Sequence, residues 1–76
     1  MKYRHYKGGV YEFITKAEWT GPSIEDVLEE GDLIVFYQSG TRVFARPEWE
    51  FDAWVKTPAG DLVRRFTSID EGDGED

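Results

Sequence analysis

The chain has 76 residues, the size of one small domain. It contains no cysteine, which excludes disulfides, thiolate nucleophiles and zinc–thiolate sites. Its net charge of -7 argues against general nucleic-acid binding, which needs a basic surface, and no apolar stretch approaches the ~20 residues that cross a membrane.

The negative charge is concentrated at the carboxyl end. Five of the 16 acidic residues lie in the last seven positions, which leaves 11 acids against 9 bases, or -2, in the remainder. We therefore expect a single domain over residues 1–69 and a disordered acidic tail over residues 70–76. The charged amino terminus has no apolar run and predicts no signal peptide, and together with the absence of cysteine it indicates a cytoplasmic protein.

The opening segment, residues 3–11, is chemically distinct from the rest of the chain. It reads Tyr-Arg-His-Tyr-Lys-Gly-Gly-Val-Tyr and combines three aromatic residues, two cations and the only histidine. The pair Gly8-Gly9 predicts a turn, because glycine adopts positive φ at little cost. The alternating residues 10–15 predict the first strand.

Residues 23–29 are predicted to form a short helix or helical turn. Ser23 and Asp26 have the spacing of a capping box, and apolar residues follow at helical spacing. Gly31 is placed to end this helix, a common role of glycine.

The second half of the chain predicts strands joined by tight turns. Residues 33–38, Leu-Ile-Val-Phe-Tyr-Gln, form the strongest strand pattern, and residues 42–46 form its return strand across a glycine-containing turn. Pro47 cannot donate to a strand ladder, so residues 47–50 predict a single turn. The return strand places Arg42, Phe44 and Arg46 on one face.

Two further strands are predicted at residues 51–56 and 62–66, on either side of the turn Thr-Pro-Ala-Gly-Asp. About five short strands with at most one short helix indicate a mainly β protein. The expected architecture is a small, strongly bent antiparallel sheet or barrel.

With the strands placed, the pattern resembles the DUF1653 family of small bacterial and phage proteins. The residues that carry the resemblance are Tyr3-Arg4-His5-Tyr6-Lys7-Gly8, Tyr11, Val35-Phe36-Tyr37-Gln38, Arg46-Pro47, Phe51 and Arg65-Phe66. The resemblance implies an SH3-like barrel of about five short antiparallel strands. The family name records an unknown function, so the resemblance implies no particular chemistry.

Catalytic and metal-binding patterns are weak. His5 has no cysteine partner and no serine motif beside it, and the carboxylates are scattered. The Asp-Gly-Asp of the tail lacks the rest of a calcium loop. The sequence therefore predicts a protein that is not an enzyme and that holds neither a metal nor a cofactor.

Cations and aromatic residues instead predict a pocket for a small anion. Arginine matches phosphate oxygens with two parallel hydrogen bonds, and aromatic rings can stack on a base. The predicted ligand-binding residues are Tyr3, Arg4, His5, Tyr6, Lys7, Arg42, Phe44, Arg46 and Trp54. In the alternative interpretation the arginines pair with Glu48, Glu50 or Asp52, and the aromatic residues form the core.

Two functions follow from these interpretations. The first is a non-enzymatic module that senses or sequesters an anionic, nucleotide-like ligand, as phage counter-defence proteins do by analogy. The alternative is an SH3-like interaction module that binds an extended peptide in an aromatic groove around Trp49 and Trp54. The excess of aromatic residues also predicts a homo-oligomer.

Overall fold

The computed structural model describes residues 1–69, which form seven strands and one short helix. The elements are β1 (Lys2–His5), β2 (Val10–Glu18), β3 (Leu33–Ser39), β4 (Arg42–Pro47), α1 (Glu48–Phe51), β5 (Trp54–Lys56), β6 (Leu62–Arg64) and β7 (Phe66–Ser68). The predicted mainly β class is confirmed. The predicted tail lies outside the described residues.

Five strands form one antiparallel sheet in the order β4-β3-β2-β1-β7, and β5 and β6 form a separate hairpin. The predicted last strand is divided between β6 and β7 at Arg65. At Arg65 the chain crosses from the β5–β6 hairpin to the main sheet. The Arg65 amide donates to the Ala53 carbonyl, and the Arg65 carbonyl accepts a hydrogen bond from the Tyr6 amide. The hairpin is thereby placed beside the end of β1.

The core is an aromatic cluster on one face of the sheet. Its buried members are Val35, Tyr37, Phe51 and Phe66, and half-buried aromatic residues pack around them. The rings of Phe51 and Phe66 are stacked with centroids 4.2 Å apart. Large rings bury much apolar area per residue, which suits a chain too short for a large aliphatic core.

The sheet bends around this cluster. Phe44 on the edge strand β4 and Phe66 on the opposite edge strand β7 both pack against Tyr11, each with a centroid distance of 5.8 Å. A flat sheet would hold the two edges far apart, so the predicted strong bend is confirmed. Within residues 1–69 the two edges are not hydrogen-bonded to each other, and the ladder stays open.

A bulge in β2 changes which side chains point to the core. Phe13 pairs with Tyr37, but Thr15 pairs with the next residue of β3, Phe36, so Ile14 is the extra residue. The simple alternation predicted for residues 10–15 therefore holds only to Phe13. Bulges of this kind bend a strand and increase its twist.

The predicted helix at residues 23–29 is wrong. The segment is a tight turn in which Ile24 and Leu28 form an isolated bridge, and Asp26 has a φ of 64°. That φ lies in the left-handed region, which a right-handed helix does not contain. A helical pattern of seven residues is too short to be stable alone.

Strand pairing across the turn prevails over the local helical signal. The Trp19 amide donates to the Asp32 carbonyl at 2.8 Å, and the Gly31 amide donates to the Trp19 carbonyl at 2.8 Å. The pairing of β2 with β3 therefore continues beyond the strands, and residues 19–32 form the tip of a long hairpin. Gly31 bends this tip with a φ of 97° and does not cap a helix.

The predicted turn at residues 47–50 is confirmed as the single helical turn α1, which ends at Phe51 and delays the next strand to Trp54. Within residues 1–69 no helix has the length and apolar character needed to cross a membrane.

Candidate anion-binding groove

The turn between β1 and β2 has a fixed shape that depends on His5. The His5 amide donates to the Gly9 carbonyl and the Gly8 amide donates to the His5 carbonyl, both at 2.7 Å. Gly8 has a φ of 110°, a conformation that residues with a side chain rarely adopt. The Lys7 amide also donates to His5 Nδ1 at 3.1 Å, which ties the imidazole to the turn.

The hairpin of β5 and β6 is closed by Thr57. The Thr57 amide donates to the Asp61 carbonyl at 2.8 Å, and Thr57 Oγ1 accepts from the Asp61 amide at 3.1 Å. The predicted turn at residues 57–61 is thus confirmed. It presents Lys56 and Pro58 toward the turn between β1 and β2.

A groove runs between these two turns and consists of two adjoining cavities that share Tyr6 and Thr57. The larger has a volume of about 540 Å³ and is lined by Tyr6, Lys7, Lys56, Thr57 and Pro58. The smaller has a volume of about 230 Å³ and is lined by Arg4, His5, Tyr6, Gly8, Thr57, Val63, Arg64 and Thr67. We call these two cavities together the groove.

Four cations border the groove: Arg4, Lys7, Lys56 and Arg64. All four are exposed, and no carboxylate is among the lining residues. The ion pairs found within residues 1–69 join other cations to their partners, in Lys16–Glu48 and Arg46–Glu50. The groove therefore combines several positive charges with no neutralising group in its lining.

His5 is the lining group that titrates nearest to neutral pH. Partial burial lowers its pKa below the usual 6.5, and the positive charges of Arg46, Arg65 and Lys7 lower the pKa further. The imidazole is therefore mainly neutral at pH 7. Because Nδ1 accepts the Lys7 amide, the ring proton is on Nε2 in that neutral form.

The sequence model of the family DUF1653, a protein family of unknown function, matches residues 1–68. The chain belongs to this family. No curated protein and no solved structure matches it. The match spans the whole groove, from β1 to β7.

Several residues that carry the DUF1653 resemblance serve the core. Tyr37, Phe51 and Phe66 are buried in it, and Arg46 Nε donates to Tyr37 Oη at 3.1 Å. Arg65 Nε donates to the Glu50 carbonyl at 3.0 Å and so holds α1 against the chain before β7. These residues account for the fold, whereas the opening segment of the pattern reaches the groove.

The structure divides the nine predicted ligand-binding residues between separate places. Arg4, His5, Tyr6 and Lys7 line the groove. Tyr3 lies on the core side, where its ring meets Phe51 edge-on at 5.2 Å.

The predicted cluster on β4 does not line the groove. Phe44 stacks on Tyr37 at 5.5 Å, and the Arg42 guanidinium lies 5.0 Å from the Phe44 ring. Arg46 Nε donates to Tyr37 Oη, and Arg46 Nη1 lies 3.6 Å from Glu50 Oε2. The alternative interpretation, a structural ion pair, therefore describes this arginine.

Trp54 is exposed and is not among the residues that line the groove. Its ring lies 5.4 Å from the guanidinium of Arg64, which does line the groove. Arg64, Lys56 and Thr57 are lining residues that sequence reasoning did not include. The available signal was a hairpin turn flanked by Lys56 and Arg64, but nothing local shows that this hairpin lies beside β1.

Proposed function

We propose that this DUF1653 protein is a binding module for a small anionic, nucleotide-like ligand, held in the groove between the β1–β2 turn and the β5–β6 hairpin. Its role would be to sense or sequester that ligand without converting it. The observation that carries the proposal is the set of four exposed cations, two in each cavity of the groove, with no carboxylate in either lining.

The charges favour a phosphate group. Arg4 and Arg64 both line the smaller cavity, and an arginine can donate two parallel hydrogen bonds to a phosphate. Lys7 and Lys56 line the larger cavity and act as point charges that neutralise further phosphate oxygens. A ligand with more than one phosphate would use both cavities.

The shape favours a ring attached to that phosphate. Tyr6 is half-buried and lines both cavities, so its ring forms part of the groove wall beside Pro58. A flat base can stack on such a surface, and a volume of about 540 Å³ is within the range of small-ligand sites. Thr57, Thr67 and neutral His5 add hydrogen-bonding groups to the lining.

Binding, and not turnover, is the proposal because of what the lining contains. Among the lining residues there is no carboxylate and no thiol, and the ring of His5 packs against Tyr6 and Phe66 at 4.7 and 4.9 Å. Within residues 1–69 no group of three or more histidine or carboxylate residues could hold a metal ion. The groove therefore offers charge and surface area but few groups that move protons.

The test is a thermal-melt screen with nucleoside mono- and diphosphates, cyclic nucleotides, orthophosphate and an uncharged nucleoside. A ligand at ~100 times its Kd stabilises the native state by about 2.7 kcal/mol. At 4–8 °C per kcal/mol for a domain of this size, the expected shift in Tm is about 10–20 °C. The nucleoside should give little or no shift.

Variants locate the site. Arg64→Ala should weaken the best ligand by about tenfold or more, because it removes a hydrogen-bond donor that carries charge. Arg42→Ala is the matched control, since Arg42 is also exposed and carries the same charge outside the groove. A flat screen, or an equal loss in both variants, would contradict the proposal.

Self-association and a cytoplasmic location stay predictions. Val10 and Val43 are exposed on the sheet face opposite the aromatic cluster and are available to an interface between copies. Sedimentation equilibrium would measure the oligomeric state of the protein with and without ligand. It would thereby show whether the species that binds the ligand is a monomer.

A further inference from the structure

A second surface lies at the tip of the β2–β3 hairpin, beside α1. It consists of residues 24–32 together with Trp49, and we call it the acidic tip. Its apolar part contains Ile24 and Val27, each 44% exposed, and Trp49, 54% exposed. These three side chains line one depression, and contiguous exposed apolar patches mark interaction sites.

The acidic tip is held in one shape by its own hydrogen bonds. Trp49 Nε1 donates to the Val27 carbonyl at 2.9 Å, which fastens the indole to the hairpin while leaving its face exposed. The Glu29 amide donates to Asp32 Oδ2 at 2.9 Å, and Ile24 is bridged to Leu28. Between them lies a depression with a volume of about 210 Å³.

Charge surrounds this apolar patch. Residues 18–32 contain six carboxylates and neither lysine nor arginine. Asp26, Glu29 and Asp32 line the depression together with Trp49. The nearest cation in sequence, Lys16, is engaged by Glu48.

We propose that the acidic tip is the docking surface for a cationic, amphipathic segment of another protein. Apolar side chains of that segment would pack on Ile24, Val27 and the indole of Trp49. Its lysine or arginine residues would face the surrounding carboxylates. Aromatic anchors rimmed by complementary charge are typical of binding hot spots.

The charge pattern argues against the other occupants. In a symmetric contact a second copy would bring its own acidic tip against this one, and like charges facing each other oppose association. The remaining segment of this chain, residues 70–76, carries five acids and no cation, so it is repelled as well. An anionic lipid surface is disfavoured for the same reason.

The surface is also separate from the groove. The β1–β2 turn and the acidic tip lie at opposite ends of β2, which runs from Val10 to Glu18. Occupation of the tip therefore leaves the groove accessible, and the two sites can be tested independently.

The experiment uses the full-length chain labelled with ¹⁵N and a synthetic peptide in which lysine alternates with leucine. We expect the largest amide shifts in residues 24–32 and in the Trp49 indole N–H. A glutamate–leucine peptide should cause no shift, and a lysine–serine peptide should bind more weakly because it lacks the apolar face.

Trp49→Ala should raise the Kd of the lysine–leucine peptide by about tenfold or more. Trp49→Phe, which retains a ring, should recover part of that affinity and guards against a folding defect. The double variant Glu25→Gln and Glu29→Gln should bind several-fold more weakly, with a smaller dependence on salt. Trp54→Ala is the matched control, because Trp54 is 60% exposed beside Arg64, away from the tip.

Three results would overturn the proposal. Affinity unchanged in Trp49→Ala would show that the tip is not the docking surface. Shifts confined to residues 70–76, or spread evenly over all carboxylates, would show charge attraction without a site. Shifts at the tip that follow the concentration of the protein alone would identify a second copy as the occupant.

Discussion

Replacement of Arg46 is the most direct test of whether an arginine of this fold is structural or ligand-binding. Its Nε donates to Tyr37 Oη at 3.1 Å, and its Nη1 lies 3.6 Å from Glu50 Oε2. Tyr37 is 5% exposed, so its hydroxyl cannot exchange this partner freely for water. Arg46→Ala removes both contacts from the edge of the core.

The expected loss can be worked out from these contacts. A hydrogen bond from a charged donor contributes about 1.5–3 kcal/mol, whereas a half-exposed ion pair adds no more than ~1 kcal/mol. We expect Arg46→Ala to lower the free energy of unfolding by about 2–3 kcal/mol. A domain of this size has about 4–11 kcal/mol in total, so the loss is a large fraction. The corresponding fall in Tm is about 8–24 °C.

Urea unfolding followed by tryptophan fluorescence measures this change, with Arg42→Ala as the control. Arg42 is exposed on the same strand and its side chain contacts the Phe44 ring, so its replacement should change stability by no more than ~1 kcal/mol. Adding Tyr37→Phe completes a double-mutant cycle, in which the two changes should be non-additive by about 1 kcal/mol or more. Additive effects, or equal losses in Arg46→Ala and Arg42→Ala, would refute the structural role of Arg46.

Three further predictions concern single positions. Because the pKa of His5 is lower in the folded state than its ordinary 6.5, the unfolded chain binds more protons, so stability should decline as the pH falls below about 6.5. This decline, followed by urea midpoints across that range, should be smaller in His5→Gln. Gly8→Ala should lower the free energy of unfolding by about 1–2 kcal/mol. The cause is the φ of 110° alone, because an added Cβ meets no atom within 4 Å. An unchanged Tm would show that the turn relaxes. Phe66→Ala should cost about 3–5 kcal/mol by opening the stack on Phe51, and circular dichroism should show a largely unfolded chain on mild heating.

Local patterns predicted the strands whose partners are their neighbours in sequence. The alternation at residues 10–15, the apolar run at 33–38 and the return strand at 42–46 all became strands of one antiparallel meander. Pro47 correctly marked the end of the return strand. In each case the turn residues and the alternation of apolar residues predict the same strand limits, and the fold adopts those strands.

Where a residue's conformation depends on distant partners, the sequence did not predict it. The segment at 23–29 has a helical spacing of apolar residues, but it is bound between two paired strands and becomes a hairpin tip. β1 has no clean period, yet it is a strand because β2 and β7 pair with it on both sides. These outcomes depend on strand pairing, which local spacing does not record.

The candidate site shows the same division. Residues 4–7 were identified by composition and do line the groove, because their unusual chemistry is visible in the sequence itself. Lys56 and Arg64 were missed because they reach the groove only through the crossing at Arg65. Arg42 and Arg46 have the same chemistry but lie elsewhere, so residue type alone did not separate the two groups.

The separation of charge along β2 makes the proposed binding of an anion compatible with an acidic protein. Nine residues at about 3.3 Å each place the acidic tip nearly 30 Å from the turn that borders the groove. Charges are screened over about 8 Å at physiological ionic strength, so the carboxylates of the tip contribute little to the potential at the groove. The ligand of the proposed function would therefore respond to the four nearby cations more than to the net charge of -7. At low ionic strength the screening length approaches the length of β2, so the same carboxylates would then oppose the anion. The proposed affinity should therefore be reduced by the protein's overall charge only below physiological ionic strength.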